Sequence, residues 1–480
     1  MKAIFWIHYL DLAHKTDIRS QELIMSQVLT STNPYTGKVI QEYPALTSQE
    51  ITEAIDKANT AFSSWRKTTF HERAAVLVNV AQALRAAKPK LAELMAIEMG
   101  KPIKEGLAEV EKAAMCSEFY AEHAEQYLAS EELSSDASLS YVCYQPLGTL
   151  LGILPWNAPL WLAARYFAPA LMAGNTCVLK HDPNVPGCAQ AIAEVFVSAG
   201  APENILLNLP IKTASVAEAI QHPAIQAISF TGSANAGGVV AAIAAAEIKH
   251  SVLELGGSDP LIVLADADLD SAADIATLSR TINAGQSCIA AKRIIVAEEV
   301  YDTFVDKLKT RLVKLKLGDP LREDTDIGPL ARDDLRQNLH RQVTESIESG
   351  ANCLIGGELP KGDGYFYPVT LLTDVDETMC AFKEETFGPV MVVVKAKDRK
   401  HALELANNTE YGLGASVWTS NLALAELFAM ELNAGQVAVN GIVKTDPRLP
   451  SGGIKRSGYG RELGPHGIKE FVNAKQIWIK

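Results

Sequence analysis

The polar run Thr47-Ser-Gln-Glu50 stands directly ahead of apolar residues at 51, 54, 55 and 58. A threonine followed three positions later by a glutamate is a capping box, and the spacing behind it is helical, so a helix opens here. A second helical spacing covers 72–99 and stops at Gly100. From 150 onward the period changes. Short apolar runs at 150–154, 176–179, 205–209 and 227–230 predict strands, and 160–172, 189–198 and 214–220 between them predict helices. Later, Ile294, Ile295 and Val296 form a β-branched run that reads as a buried strand. Strand and helix in alternation make βαβ units, and hence a parallel sheet covered on both faces. The stretch 131–140, polar and serine-rich, predicts a connection leaving the first domain.

Composition narrows the class. At 480 residues the chain holds two to four domains, at about 150 residues each. Its net charge of −13 excludes a general nucleic-acid binder, which needs a basic face. The seven cysteines, at 116, 143, 177, 188, 288, 353 and 380, show no paired metal spacing, and an odd count suits the reducing cytoplasm. The apolar start, 1–10, is too short to span a membrane and has no cleavage site after it. Residues 1–24 read as a dispensable extension ahead of a second possible start at Met25.

Five pieces carry candidate chemistry. Cys288 follows a loop of Gly285, Gln286 and Ser287 and precedes the strand at 294–296, so its thiol sits where loop meets sheet; most buried thiols, however, are inert. Thr231-Gly232-Ser233 lies between a strand and a helix-like run, where bare backbone and a helix N-terminus suit a pyrophosphate, or simply make a tight turn. Glu254 is bracketed by leucines before Gly256 and Gly257; apolar surroundings would raise its pKa toward that of a general base, unless it is an exposed strand end. Asn157, in Pro155-Trp156-Asn157-Ala158-Pro159, offers an amide to an oxyanion, or serves as a turn residue. Lys180 ends a strand, at the carboxyl edge where open α/β sheets bind ligands; its bland alternative is a solvated lysine.

Together these pieces resemble the NAD(P)-dependent aldehyde dehydrogenases over nearly the whole chain. The likeness runs from Asn33-Pro-Tyr-Thr-Gly37 through Glu385-Thr-Phe-Gly-Pro389 and Tyr411-Gly-Leu-Gly414 to Gly452-Gly-Ile-Lys455 and Gly460-Arg-Glu-Leu463. Its most specific parts are the motifs at Glu254 and Cys288, 34 positions apart (288 − 254). Within the family, 180–188 and 254–260 look most like bacterial succinate-semialdehyde dehydrogenases.

The resemblance implies roles. The Cys288 thiolate attacks the aldehyde, the Asn157 amide and the Cys288 N–H stabilise the oxyanion, hydride passes to the nicotinamide, and Glu254 activates water to hydrolyse the thioester. A free thiol has a pKa of about 8.5, so the loop amides and the cofactor's positive ring are expected to favour the anion. Lys180 is implied to bind the adenosine ribose and Glu385 the nicotinamide ribose, with Trp156, Gly232, Ser233 and Phe387 lining the NAD or NADP cleft. Glu462 matches a family glutamate credited with proton relay. No metal is implied.

By the same resemblance the fold is α/β: a Rossmann-type coenzyme domain (25–130 and 147–253), a catalytic α/β domain (254–445), and an active-site loop returning to the coenzyme domain (446–465). A β oligomerisation ribbon (131–146 and 466–480) implies a homodimer or homotetramer. Two departures stand out. Many NAD-selective members carry a glutamate three residues after the cofactor lysine; here that place is Pro183, which leaves NADP open, although Asp182 disfavours a phosphate. The usual Pro-Phe-Gly-Gly reads Pro450-Ser451-Gly-Gly453.

Arg165 lies alone in an apolar helix, eight residues after Asn157 (165 − 157). A desolvated guanidinium needs an anion, either a neighbouring carboxylate or, as the resemblance implies, the distal carboxylate of a substrate. Arg448 is the expected second clamp. The substrate expected is therefore succinate semialdehyde, then glutarate semialdehyde. Glu254 argues against a CoA-acylating enzyme, the absence of a hydrolase signature around Cys288 against a Cys–His hydrolase, and both residues together against a non-catalytic binding protein.

Overall fold

The computed structural model describes residues 28–480. The expected extension, 1–24, and Met25 lie outside the described residues. The described chain opens with an antiparallel hairpin, Val28–Asn33 and Lys38–Pro44. The Asn33 side chain accepts the Tyr35 N–H at 2.8 Å, and Gly37 closes the turn at φ 69°.

The first capping box forms as read: Thr47 and Glu50 bond reciprocally at the start of Ser48–Trp65, which buries Ile51, Ile55 and Ala58. The single helix expected over 72–99 is instead two, Phe70–Ala86 and Lys88–Met99. Pro89, in the first turn of the second, has no N–H to continue a ladder and its ring crowds the carbonyl four residues back, so the chain breaks at Ala87. A second capping box, Thr69 with Glu72, starts the first of them earlier than expected. The 25-residue helix Ile103–Tyr127, which periodicity did not reveal, follows.

Two parallel sheets organise the rest. In the first, the order is Gly458–Tyr459, His250–Glu254, Ile225–Thr231, Thr149–Leu154, Thr176–His181, Leu206–Asn208. All are parallel except Gly458–Tyr459, which runs back against Leu253 and Glu254. The chain moves outward from Thr149–Leu154 to Leu206–Asn208, then returns to the other side at Ile225–Thr231. The order thus reverses beside Thr149–Leu154, and a crevice opens at the carboxyl ends there. Every residue of Thr149–Leu154 and Thr176–His181 is buried, as a sheet covered by helices on both faces requires.

The second sheet has the order Asn352–Ile355, Thr370–Thr373, Val390–Ala396, Ala291–Ala297, Asp259–Val263, Gly414–Trp418, Gln436–Val439, with only its Asn352–Ile355 edge antiparallel. The strand expected at 294–296 is therefore central in it. A third, three-stranded sheet pairs Val472–Ile479 with Leu139–Pro146 along their whole length and adds Glu131–Glu132. The C-terminal strand begins at Val472, after the short helix Gly464–Lys469. Among the described residues no helix is long and apolar enough to cross a membrane, and no His, Cys, Asp and Glu cluster is arranged for a metal.

Candidate active site

The first sheet delivers its residues from the carboxyl ends of adjacent strands. Trp156 and Asn157 follow Thr149–Leu154, Lys180 lies in the last turn of pleat of Thr176–His181, Gly232 and Ser233 follow Ile225–Thr231, and Glu254 ends His250–Glu254. Ser233 caps the helix Ala234–Ala246, its hydroxyl accepting the Ala236 N–H at 3.3 Å. The Gly232 N–H donates to the Glu254 carbonyl at 3.0 Å, and a Cβ there would press into the Phe230 ring. Lys180 is 5% exposed and forms no ion pair among the described residues; burial lowers its pKa, with Asp182 opposing. The Gly232 turn into the N-terminus of Ala234–Ala246 suits the pyrophosphate of a dinucleotide, and the buried, unpaired ammonium of Lys180 suits its ribose.

The second sheet contributes from the opposite, amino ends. Cys288 precedes Ala291–Ala297, and Glu385 and Phe387 precede Val390–Ala396. Ahead of the thiol, Asn283, Ala284 and Gly285 are all left-handed, at φ 55°, 52° and 75°. Such a conformation costs about 1–3 kcal/mol at each non-glycine residue and persists only where the surroundings dictate it. Here they do. The Asn283 N–H donates to Glu105 Oε2 at 2.7 Å, and its side-chain amide to the Asn157 carbonyl at 2.8 Å. The Asn157 side chain donates to the Gln286 carbonyl at 3.1 Å, and Gln286 Oε1 accepts the Ala331 N–H at 2.9 Å.

Beneath this loop lies a buried ion pair, Lys101 with Glu109. Lys101 also donates to the Asn157 carbonyl at 2.9 Å, while Glu109 Oε1 accepts the N–H groups of Leu160 and Trp161 at 2.9 and 3.1 Å. Burial raises the Glu105 pKa to about 7 against the pull of Lys101 and the Asn283 N–H. Sequence reasoning missed Lys101, Glu105 and Glu109. Their only signal is a lysine trapped between Gly100 and Pro102, followed by two glutamates one helical turn apart.

Glu385 accepts the Gly257 N–H at 3.1 Å and pairs with Lys292 at 3.1 Å. Lys292, also missed, reaches the carbonyls of Cys288 and Ser287 at 2.5 and 3.0 Å. Trp156 and Phe387 meet edge to face, with centroids 5.8 Å apart, so the two sheets touch through aromatic rings expected in the coenzyme cleft. Buried Arg280 fixes the Glu385 loop by donating to the Val390 and Thr386 carbonyls at 2.7 and 2.8 Å, and to that of Gly388.

The charges at the centre are unusual. Glu254 is buried, not an exposed strand end; burial raises its pKa to about 7, with Arg165 opposing and Glu462 adding. Its Oε1 has no hydrogen-bond partner. Of the two partners weighed for Arg165, the neighbouring carboxylates are present: Nη2 lies 3.3 Å from Glu254 Oε2 and also pairs with Glu462. Burial opposes the guanidinium charge, but Glu462 and Glu254 hold its pKa above the usual range. The Cys288 thiol departs from expectation. Burial pushes its pKa up to about 11, Glu254 and Glu385 adding to the rise while Lys292 and Arg165 oppose it. The loop amides do not make it a thiolate in the protein alone.

Arg448 is a correction. Its side chain is 73% exposed and bound to Asp446, Nη2 to Oδ2 at 2.6 Å, so it stands outside the site and already has its anion. Ser451, in place of the usual aromatic, is buried: it exchanges backbone hydrogen bonds with Glu462 at 2.7 Å, and its hydroxyl accepts from Gln436 Nε2 at 3.3 Å.

Comparison with known proteins agrees with this arrangement. The model of the aldehyde dehydrogenase family matches residues 23–477. A probable succinate-semialdehyde dehydrogenase [NADP(+)] of Synechocystis sp. is 47% identical over 451 residues, 94% of this chain and 99% of that one. Succinate-semialdehyde dehydrogenase [NADP(+)] 1 of Mycobacterium bovis is 44% identical over 454 residues, with the same 94% and 99% coverage. The crystal structure of succinic semialdehyde dehydrogenase from Streptococcus pyogenes, in complex with NADP+, superposes with a TM-score of 0.92 at 34% identity, covering 94% of this chain and 99% of that one. With a thiol, an amide and a buried glutamate converging from two α/β sheets, and a family match over nearly its whole length, the chain belongs to the aldehyde dehydrogenase family.

Proposed function

We propose that this protein oxidises succinate semialdehyde to succinate with NADP+, NAD+ being the second cofactor to test and glutarate semialdehyde the second substrate. The observation that carries the reading is the joining of Cys288, Asn157 and Glu254 across the two sheets, with the buried cation Arg165 between Glu254 and Glu462. The names and the extent of the curated relatives support the choice of aldehyde and of NADP+.

At rest the thiol is protonated, with a pKa of about 11, and needs an acceptor for its proton. Glu254, at about 7, supplies one near neutrality. Once ionised, Cys288 attacks the aldehyde carbon to give a thiohemiacetal oxyanion, toward which the Asn157 amide and the Cys288 N–H donate. A nicotinamide held by Lys180, Gly232, Ser233, Trp156, Glu385 and Phe387 supplies the hydride acceptor. Glu254, having passed that first proton to solvent, takes a proton from water, whose oxygen adds to the thioester carbon. The C–S bond then breaks, Cys288 leaves as thiolate and recovers its proton from Glu254, and the acid is released as the carboxylate, its own proton going to solvent. Pro183 puts no carboxylate three residues after Lys180, which leaves a ribose phosphate unopposed at that position, while Asp182 beside it disfavours one.

We read 25–130 with 147–253 as the coenzyme domain and 254–445 as the catalytic one. Val472–Ile479 is an exposed outer strand of the third sheet, and an edge of this kind pairs readily with another chain. We read the assembly as a homodimer or homotetramer, testable by light scattering on the eluting protein, and its compartment as the cytoplasm, which the odd cysteine count suits. The activity is tested by following reduced cofactor from succinate semialdehyde, glutarate semialdehyde and butanal, with NAD+ or NADP+, with and without CoA. Turnover that requires CoA, or no preference for the ω-carboxy aldehydes, overturns the reading.

A further inference from the structure

A second cation, unlike Arg165, stands in this region without an anion. Lys112, on the helix Ile103–Tyr127, holds its ammonium 4.1 Å from the centroid of the Trp161 ring and donates to Thr445 Oγ1 at 2.9 Å. Trp161 Nε1 donates to the same hydroxyl oxygen at 3.1 Å. Trp161 and Arg165 are one turn apart on the helix Pro159–Met172 and share a face of it. The three elements therefore meet at one point: a helix bearing Lys112, a helix bearing Trp161 and Arg165, and the loop bearing Thr445.

The carboxylates around Lys112 are committed elsewhere. Glu109 is bound to Lys101 and to the N–H groups of Leu160 and Trp161, and Asp446 to Arg448. Cys116, the thiol one turn further along the helix, is pushed by burial to a pKa of about 12 and stays neutral. Lys112 forms no ion pair among the described residues. Burial, then the like charge of Arg165, lower its pKa to about 8, with Glu109 and Asp446 acting the other way. Arg165, by contrast, already has Glu254 and Glu462. A largely desolvated ammonium is costly until an anion completes it.

Resting on the substrate reading above, we propose that Lys112 determines specificity by receiving the distal carboxylate of the semialdehyde, over the face of Trp161 and beside the Thr445 hydroxyl. The sequence suggests Arg165 for this part, with Arg448 as a second clamp; in the structure Arg165 is held by Glu254 and Glu462, and Arg448 by Asp446. Arg165, tied to the catalytic Glu254, adds positive field behind it.

The test is the ratio of kcat/KM for succinate semialdehyde to that for butanal, measured across pH. In the wild type the ratio falls as pH rises through about 8, because the ammonium loses its proton while butanal has no charge to recognise it. Lys112→Met lowers the ratio about 10- to 100-fold, mainly through KM, and abolishes its pH dependence. Lys112→Arg keeps the ratio and carries its fall to higher pH. Lys104→Met, an exposed lysine of the same helix bound to Asp326, leaves the ratio at its wild-type value. A Lys112→Met enzyme with the wild-type ratio, or a wild-type ratio that does not change with pH, overturns the assignment. A wild-type ratio near one overturns instead the substrate reading on which it rests. Should Lys112→Met fail to fold, the wild-type pH profile decides alone.

Discussion

The two large sheets meet the site with opposite ends, and they hold their residues by different means. On the first, Asn157, Lys180, Ser233 and Glu254 stand at the carboxyl ends of parallel strands, and none of them has a left-handed backbone. An ordinary helix cap and the reversal of strand order suffice to make that face. On the second, Cys288 and Glu385 stand ahead of their strands. The thiol follows three consecutive left-handed residues, and its loop is tied down by Glu105 and Asn157 from the other half of the molecule. One face is produced by architecture common to many folds. The other depends on side-chain bonds from outside its own sheet, so its precision is borrowed from its neighbour.

If the thiol is indispensable for bond formation and Glu254 chiefly for hydrolysis, breaking each should fail differently. Cys288→Ala removes the bond-forming atom and should lower kcat by roughly 10⁴- to 10⁶-fold, with no reduced cofactor even in a single turnover. Glu254→Gln should retain a first turnover when the experiment starts at a pH where the thiol is ionised, then stall at hydrolysis. Rapid mixing with the reduced nicotinamide absorbance as readout checks this; two variants with the same residual rate and no burst contradict the division.

Arg165→Ala attacks the charge balance of the first edge. It leaves Glu254 and Glu462 buried without their shared cation, so stability should fall by about 3–5 kcal/mol. The Glu254 pKa should rise above its present value of about 7, because Arg165 now lowers it. A base must be deprotonated to act, so the acid limb of kcat should move to higher pH, and it should do so for butanal as well as for succinate semialdehyde. A loss confined to the charged substrate would mean that Arg165 acts on substrate alone.

Glu109→Gln probes how far the second edge depends on the first. The variant orphans buried Lys101, the residue that holds the Asn157 carbonyl. Unfolding in denaturant should show a loss of about 3 kcal/mol, and kcat should fall more than KM rises. Unchanged stability would make the ion pair incidental. At the small end, Arg448→Ala touches neither edge, and kcat/KM for succinate semialdehyde should stay within about twofold of wild type.

The carboxyl-edge residues were legible in the sequence for the reason just given. Gly232-Ser233 between strand and helix, and Lys180 at a strand end, follow from general rules of α/β sheets. The thiol was legible as a motif, but its raised pKa was not, because burial is a property of the assembled loop and not of Gly285-Gln286-Ser287. The break at Ala87 was missed because helical periodicity runs straight through it, although Pro89 marks it. Glu105, Glu109 and Lys112 were missed for a common reason. Charged residues at helical spacing read as a solvated face, and only the packing of Ile103–Tyr127 against Pro159–Met172 turns that face inward. Arg448 erred the other way: a loop arginine near a glycine motif looks functional until its own Asp446 is seen two residues before it.

A Cβ on Gly285 would run into the carbonyl of Gly388, so the loop carrying the thiol and the loop carrying Glu385 rest against each other backbone to backbone. A side chain at 285 would force the two loops apart, so the thiol and Glu385 are held in one rigid unit. Lys112, Trp161 and Thr445 come from two helices and a separate loop and touch through side chains only. With Lys112 as the carboxylate receptor proposed above, a library randomised at 112, 161 and 445 is the shortest laboratory route to a new aldehyde specificity with both loops left intact.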